Sequence, residues 1–197
     1  NGAPKAEIVV AADAPKPERF AAEDLRHWVN EISGAELPIV KSEESGVKSP
    51  GGRIFIGQGF AREKFKEDFA AFGEKDGFAI RRDGNDLYLF GGKPRSAIYA
   101  TSRLLELNTD IIWARPAEEF GTVFTKTPTL KLEKTDLIDN PAFWEHGWSV
   151  GGVRRDFPTG KWALRNGANN AELTEPKGKE GTLGMLKILG GHNFWWV

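Results

Sequence analysis

Apolar and polar positions alternate with two distinct periods along the first 140 residues, and the switches between them mark the elements. Ala6 to Ala11 is a short apolar strand closed by the Pro-rich turn Ala14-Pro15-Lys16-Pro17. Pro17 suits the first turn of a helix, where its missing N–H is not needed. Phe20, Ala21, Leu25, Trp28, Val29 and Ile32 then follow at helical spacing with charges opposite, and Gly34 is placed to end the helix. Leu37 to Val40 predicts a brief edge strand, Lys41 to Gly52 a polar surface loop, and Arg53 to Ile56 another strand. Ala61, Phe65, Phe69 and Phe72 predict a second amphipathic helix. Phe78–Arg82 and Leu87–Phe90 flank Asp83-Gly84-Asn85, the pattern of a β-hairpin with an Asp-Gly turn. Gly91-Gly92 breaks the strand, and Pro94 opens a third helix with Ala97, Ile98, Thr101, Leu104 and Leu105 on one side. Ile111 to Trp113 reads as a strand ended by Pro116, with extended stretches at Phe120–Phe124 and Leu130–Leu132. The sum is an α+β domain: a mixed β-sheet with its helices packed on one face.

Composition narrows the function classes. The 197 residues are 40% hydrophobic and 28% charged, with a net charge of −1, which gives no electrostatic case for nucleic acid or anionic lipid. No apolar run approaches the ~20 residues needed to span a bilayer. Asn1-Gly2-Ala3-Pro4-Lys5 is a short polar lead-in without a hydrophobic signal segment, so a processed or engineered start is expected. With no cysteine there are neither disulfides nor thiolate metal sites, and the compartment stays open on that ground. Five of the seven tryptophans, Trp144, Trp148, Trp162, Trp195 and Trp196, fall after Pro141, which points to a change of organisation there.

Glycine-rich turns are the first candidates for chemistry. Gly57-Gln58-Gly59 sits between a strand and a helix, but Arg62 stands where a dinucleotide fingerprint needs its third glycine. Gly91-Gly92-Lys93-Pro94 lacks the spacing and the Ser/Thr of a phosphate-binding loop. Both read as turns. The ordered segments "FAAEDLRHWVNEISGAELPIV", "RIFIG", "DGFAIRRDGNDLYLFGGKPRSAIYATSRLLE" and "IIWARP" are together similar to an accessory domain of large glycoside hydrolases. That domain precedes the catalytic barrel in α-glucuronidases, in β-hexosaminidases and in the DUF4838 family. The match covers most of residues 6 to 116. Ser96 and Ala97 depart mildly from it, standing where small glycine-type residues are common. The resemblance implies a mixed sheet with helices on one face, zincin-like in shape only: there is no HExxH and no zinc site is implied.

Asp139-Asn140-Pro141 is good boundary chemistry, so the expected division is 1–140 and 141–197. Phe143 to Val150 reads as a strand, Arg154 to Pro158 as a polar loop, Trp162 to Asn166 as a helix and Met185 to Leu189 as a short apolar segment before Gly190-Gly191. A strand–helix–strand unit cannot close a core alone. "WALRNGANN" and "GGHNFWWV" resemble the opening of the (β/α)8 barrel that follows the accessory domain in DUF4838-like proteins. The resemblance implies that 141–197 is the first strand–helix–strand of a truncated barrel.

Barrel active sites lie at the carboxyl ends of the strands. On that placement His192, Trp195, Arg165 and Asn166 are the candidate sugar-contacting residues. Trp195 and Trp196 read first as core, and His192, just after two glycines, is the one best placed to meet a ligand. Arg165 and Asn166 match the family's Arg-Asn segment, and an arginine there is expected to tie its helix to the barrel through a carboxylate. Arg154, Arg155 and Lys161 read as a solvated loop. Glycoside hydrolysis needs a pair of carboxyl groups across the scissile bond, and nothing brings Glu145 and Asp156 together. No catalytic residue, cofactor or metal is therefore assigned. The expected function is that of a non-catalytic N-terminal domain of a glycoside hydrolase, outside the cytoplasm, with carbohydrate as the parent's partner. The alternatives are a free-standing carbohydrate-binding module, or a structural domain whose apolar barrel segment self-associates or docks a partner.

Overall fold

The computed structural model describes residues 3–42, 51–117, 120–144, 146–147 and 157–169, with side chains of the last stretch from residue 160. The six-stranded sheet has the order β2-β1-β3-β5-β4-β8, built from β1 (Glu7–Val10), β2 (Ile39–Lys41), β3 (Arg53–Ile56), β4 (Phe78–Asp83), β5 (Asp86–Gly91) and β8 (Leu137–Asp139). Strands β2, β1, β3 and β5 run parallel, while β4 pairs antiparallel with both β5 and β8. The fold is α+β with a mixed sheet.

Helix α1 (Lys16–Ser33) and helix α4 (Ser96–Asn108) cover one face. Ile8, Val10, Ile54, Ile56, Ile80, Leu87 and Leu89 from the strands meet Leu25, Trp28, Ile32, Ile98 and Leu104 from the helices in one aliphatic core. Burying each such side chain is worth about 1.5–3 kcal/mol. Gly34 ends α1 in the left-handed conformation, φ 72°, with its N–H bonded to the Asn30 carbonyl at 2.7 Å. The alternation that sends Leu87 and Leu89 to this face sends Tyr88 and Phe90 to the other, and they too are buried.

Here the expectation of helices on a single face fails. The second face carries α2 (Gln58–Ala61) and α3 (Lys66–Phe72), whose region packs Phe60, Phe65, Phe69 and Phe72 on Phe55, Tyr88 and Phe90. Phe65 and Phe69 each stack on Phe90 with centroids 5.3 Å apart, and Phe55 stacks on Tyr88 at 5.0 Å. The single helix expected over 61–72 is two helices, because the backbone leaves helical geometry at Phe65 (φ −120°, ψ 52°) and turns that ring onto the sheet.

Other differences are local. The hairpin pairs Asp83 with Asp86, so its two-residue turn is Gly84-Asn85, one position later than expected. Ile112–Trp113 (β6) joins Thr122–Val123 (β7) in a separate two-stranded ribbon rather than the main sheet. Leu130 and Leu132 pack on the core without forming a strand, and the strand after them is β8 instead.

Beyond Pro141 the described chain packs against the same core. Phe143 and Trp144 are irregular and exposed, and the remainder of the strand expected over 143–150 lies outside the described residues apart from His146 and Gly147. Helix α5 (Phe157–Arg165) begins earlier than its apolar pattern, and Leu164 joins the core between α1 and α4. No helix among the described residues is long and apolar enough to cross a membrane.

Candidate functional site

The site gathers where α1, the β6–β7 ribbon and α5 meet. Helix α1 presents Phe20, Glu23, Asp24, His27 and Trp28 on successive turns, a consequence of their three- and four-residue spacing. The ribbon supplies Trp113 and Arg115, and α5 supplies Trp162 and Arg165. Between them lies a cleft of 420 Å³.

Arg165 forms its floor. The guanidinium donates from Nε and Nη2 to the two carboxylate oxygens of Asp24 at 3.0 and 2.5 Å. It also lies over the rings of Trp28 and Trp113, 5.2 and 5.1 Å from their centroids. Those two indoles pack edge to face at 5.1 Å, and their N–H groups make no hydrogen bond among the described residues. Trp162 Nε1 and Asn166 Nδ2 both donate to the Trp113 carbonyl, at 3.0 and 3.3 Å, and Asn166 donates also to the Trp162 carbonyl at 2.9 Å.

The expectation for Arg165 is therefore half right. It does bind a carboxylate bidentately, but the carboxylate is on α1, so it ties α5 to the first unit. Asn166 spends its amide on main-chain carbonyls. His192, Trp195 and Trp196 lie outside the described residues, as do Glu145, Arg154, Arg155 and Asp156. Lys161 lines the cleft. Glu23, His27 and Arg115 were missed in the sequence. The first two are polar positions flanking the apolar stripe of α1, and only the tertiary approach of the ribbon turns them into a rim.

A second polar centre fastens the chain beyond Pro141. Asp76 accepts from Arg95 Nε and Nη2, both at 3.2 Å, and from Asn169 Nδ2 at 2.9 Å. All three residues are buried. Asn169 also donates to the Trp144 carbonyl at 2.6 Å and accepts from the His146 N–H at 3.0 Å. His146 Nε2 lies 4.0 Å from Asp76. Burial and the Asp76 charge push the Tyr99 phenol up, so it stays protonated and donates to the Ala168 carbonyl at 3.1 Å.

The glycine-rich turn at Gly57 is filled by the protein itself. Gly57 has φ 123°, and the Glu18 carboxylate sits against it, accepting from the Gln58 N–H at 3.0 Å. A Cβ on Gly57 would fall 2.3 Å from Glu18 Oε2. The place a phosphate would take next to such a turn holds a side-chain carboxylate.

No family model matches the sequence, and no curated protein does. Among solved structures, it is similar to the GH20 β-N-acetylhexosaminidase of Streptomyces coelicolor A3(2), at 18% identity over 74% of this chain and 25% of that one, with a TM-score of 0.44. It is similar also to the N-acetyl-β-hexosaminidase of Streptomyces plicatus, at 14% over 54% and 19%, with a TM-score of 0.35. A third is a GH138 enzyme targeting pectin rhamnogalacturonan II, at 17% over 53% and 13%, with a TM-score of 0.36. All three are glycoside hydrolases, and the chain spans a quarter or less of the length of each.

Proposed function

We propose that this chain is the N-terminal, non-catalytic part of a glycoside hydrolase that acts on poly- or oligosaccharides outside the cytoplasm. In this reading residues 1–140 are the accessory domain, of the α-glucuronidase, β-hexosaminidase and DUF4838 type, and residues 141–197 open the catalytic barrel. The sequence support is the ordered set of motifs over residues 6 to 116 together with "WALRNGANN" and "GGHNFWWV". The structural observation that carries the role is the Arg165–Asp24 clamp. In this reading the Arg-Asn segment of the barrel's first helix is held by the accessory unit, with Arg165 paired to Asp24 and lying against the rings of Trp28 and Trp113. An accessory domain of this kind braces the start of the barrel by holding the carboxyl end of its first helix.

Two measurements test the reading. The chain is incubated with a panel of aryl glycosides, and no hydrolysis above buffer is expected; turnover well above buffer would sink the non-catalytic assignment. Hydrogen exchange is then compared between the wild type and Arg165→Ala. Bracing predicts faster exchange across 157–169 with β3 and β5 unchanged. Equal exchange in both proteins removes the clamp from the argument.

A further inference from the structure

We propose that the cleft between α1, the β6–β7 ribbon and α5 is a binding site for a neutral pyranose sugar. The assignment goes beyond bracing and needs no barrel after it, because it stands on the lining of the cleft. At 420 Å³ the space falls at the small end of ligand sites, about 300–1,000 Å³. Its walls are of two kinds. Phe20 and Trp162 are half-buried and offer apolar ring surface above the Trp113 floor, while Glu23, His27 and Arg115 stand exposed at the rim.

A pyranose has the matching two-sided surface. Its C–H face is apolar and packs on an aromatic ring, and its hydroxyl edge both donates and accepts. Glu23 and the imidazole of His27 accept from hydroxyls, and the Arg115 guanidinium, held by the Phe120 carbonyl at 3.3 Å, donates to them. The lining mixes signs, Glu23 and Asp24 with Arg115, Lys161 and Arg165, so it is not built around one charge. The Arg165 guanidinium is already neutralised by Asp24, and Glu23 stands next to Asp24 on the same turn of α1. A phosphate or carboxylate entering the cleft meets these acidic side chains as well as Arg115 and Lys161, whereas the hydroxyls of a neutral ring can hydrogen-bond to groups of both signs. A purely apolar ligand fails as well, since it would strip water from Glu23 and Arg115 and give nothing back.

The test is a titration of the whole chain, followed by tryptophan fluorescence and calorimetry. The probes are glucose, galactose, mannose, N-acetylglucosamine and their disaccharides, with glucuronate and inorganic phosphate as charged comparators. At least one neutral sugar is expected to bind saturably, with a dissociation constant on the order of millimolar or tighter. Glu23→Ala and Arg115→Ala are expected to weaken it about fivefold or more, the worth of one lost hydrogen bond, and to leave the melting temperature unchanged because both side chains are exposed. Failure of every neutral sugar, binding confined to glucuronate or phosphate, or wild-type affinity in both variants each overturns the proposal. None of these results bears on the exchange experiment that tests bracing, so the two ideas fail separately.

Discussion

Two buried aspartates fasten the chain beyond Pro141 to the first unit, and they are dressed differently. Asp24 meets one cation, Arg165, whose remaining faces lie on two indoles at the floor of an open cleft. Asp76 is enclosed by Arg95, Asn169 and His146, and the same Asn169 bonds to the main chain at Trp144 and at His146. The first arrangement joins two helices and leaves room beside it for a ligand. The second uses every direction around the carboxylate to fix the path of the backbone. Anchoring and binding are combined at Asp24, while Asp76 specifies position alone.

Removing Asp76 is the severest way to probe this contrast. Asp76→Ala removes the buried carboxylate on which Arg95 and Asn169 both converge, and a loss of about 3–5 kcal/mol is expected by denaturant unfolding. Arg165→Ala comes next, at about 2–3 kcal/mol, since Asp24 is left nearer to solvent in the cleft and the indoles can close over the gap. Arg165→Lys restores less than half of that, because an ammonium neither forks onto both carboxylate oxygens nor lies flat against the indole rings. A larger loss at Arg165 than at Asp76 reverses the comparison.

A finer test uses the same side chain at both anchors. Asn169 is buried and donates to Asp76 and to the Trp144 carbonyl, whereas Asn166 is exposed beside the cleft and its amide bonds, among the described residues, to main-chain carbonyls. Thermal unfolding of Asn169→Ala is expected to show a loss of about 2 kcal/mol, and Asn166→Ala about 0.5 kcal/mol. Similar losses at the two positions make the enclosed network no more specific than the clamp.

Much of the first unit is readable from local pattern. The helical stripe from Phe20 to Ile32, the stop at Gly34 and the paired strands around Gly84 all follow from spacing and turn chemistry. What the pattern conceals is the second apolar face. Tyr88 and Phe90 alternate correctly, but Leu87 and Leu89 are also apolar, and a run apolar at every position does not say that both sides are covered. Strand β8 is three residues long with Ile138 partly exposed, too short for alternation to register. Of the site, the Arg165 partner type was legible and the partner itself was not. Asp24 lies 141 positions away, and no local rule joins a polar position on one helix to the last turn of another.

Glu18 supplies the third term, a buried carboxylate with no ion pair among the described residues. It accepts only the Gln58 N–H among the described residues, and burial raises its pKa, opposed by that hydrogen bond and reinforced by Asp13. A raised carboxyl pKa means that folding favours the neutral form. The contribution is then fully present below the unfolded pKa and is lost as pH rises through the folded value. Glu18→Gln keeps an acceptor for Gln58 and cannot ionise. The variant should therefore gain relative to wild type as pH rises above the ordinary carboxylate range, by less than about 1 kcal/mol. Asp24 and Asp76, each with an arginine, should show no such gain on replacement by asparagine at neutral pH. A Glu18→Gln protein that loses ground as pH rises would mean that the ionised carboxylate is held as firmly at the Gly57 turn as by a guanidinium, and the distinction between paired and unpaired carboxylates would go with it.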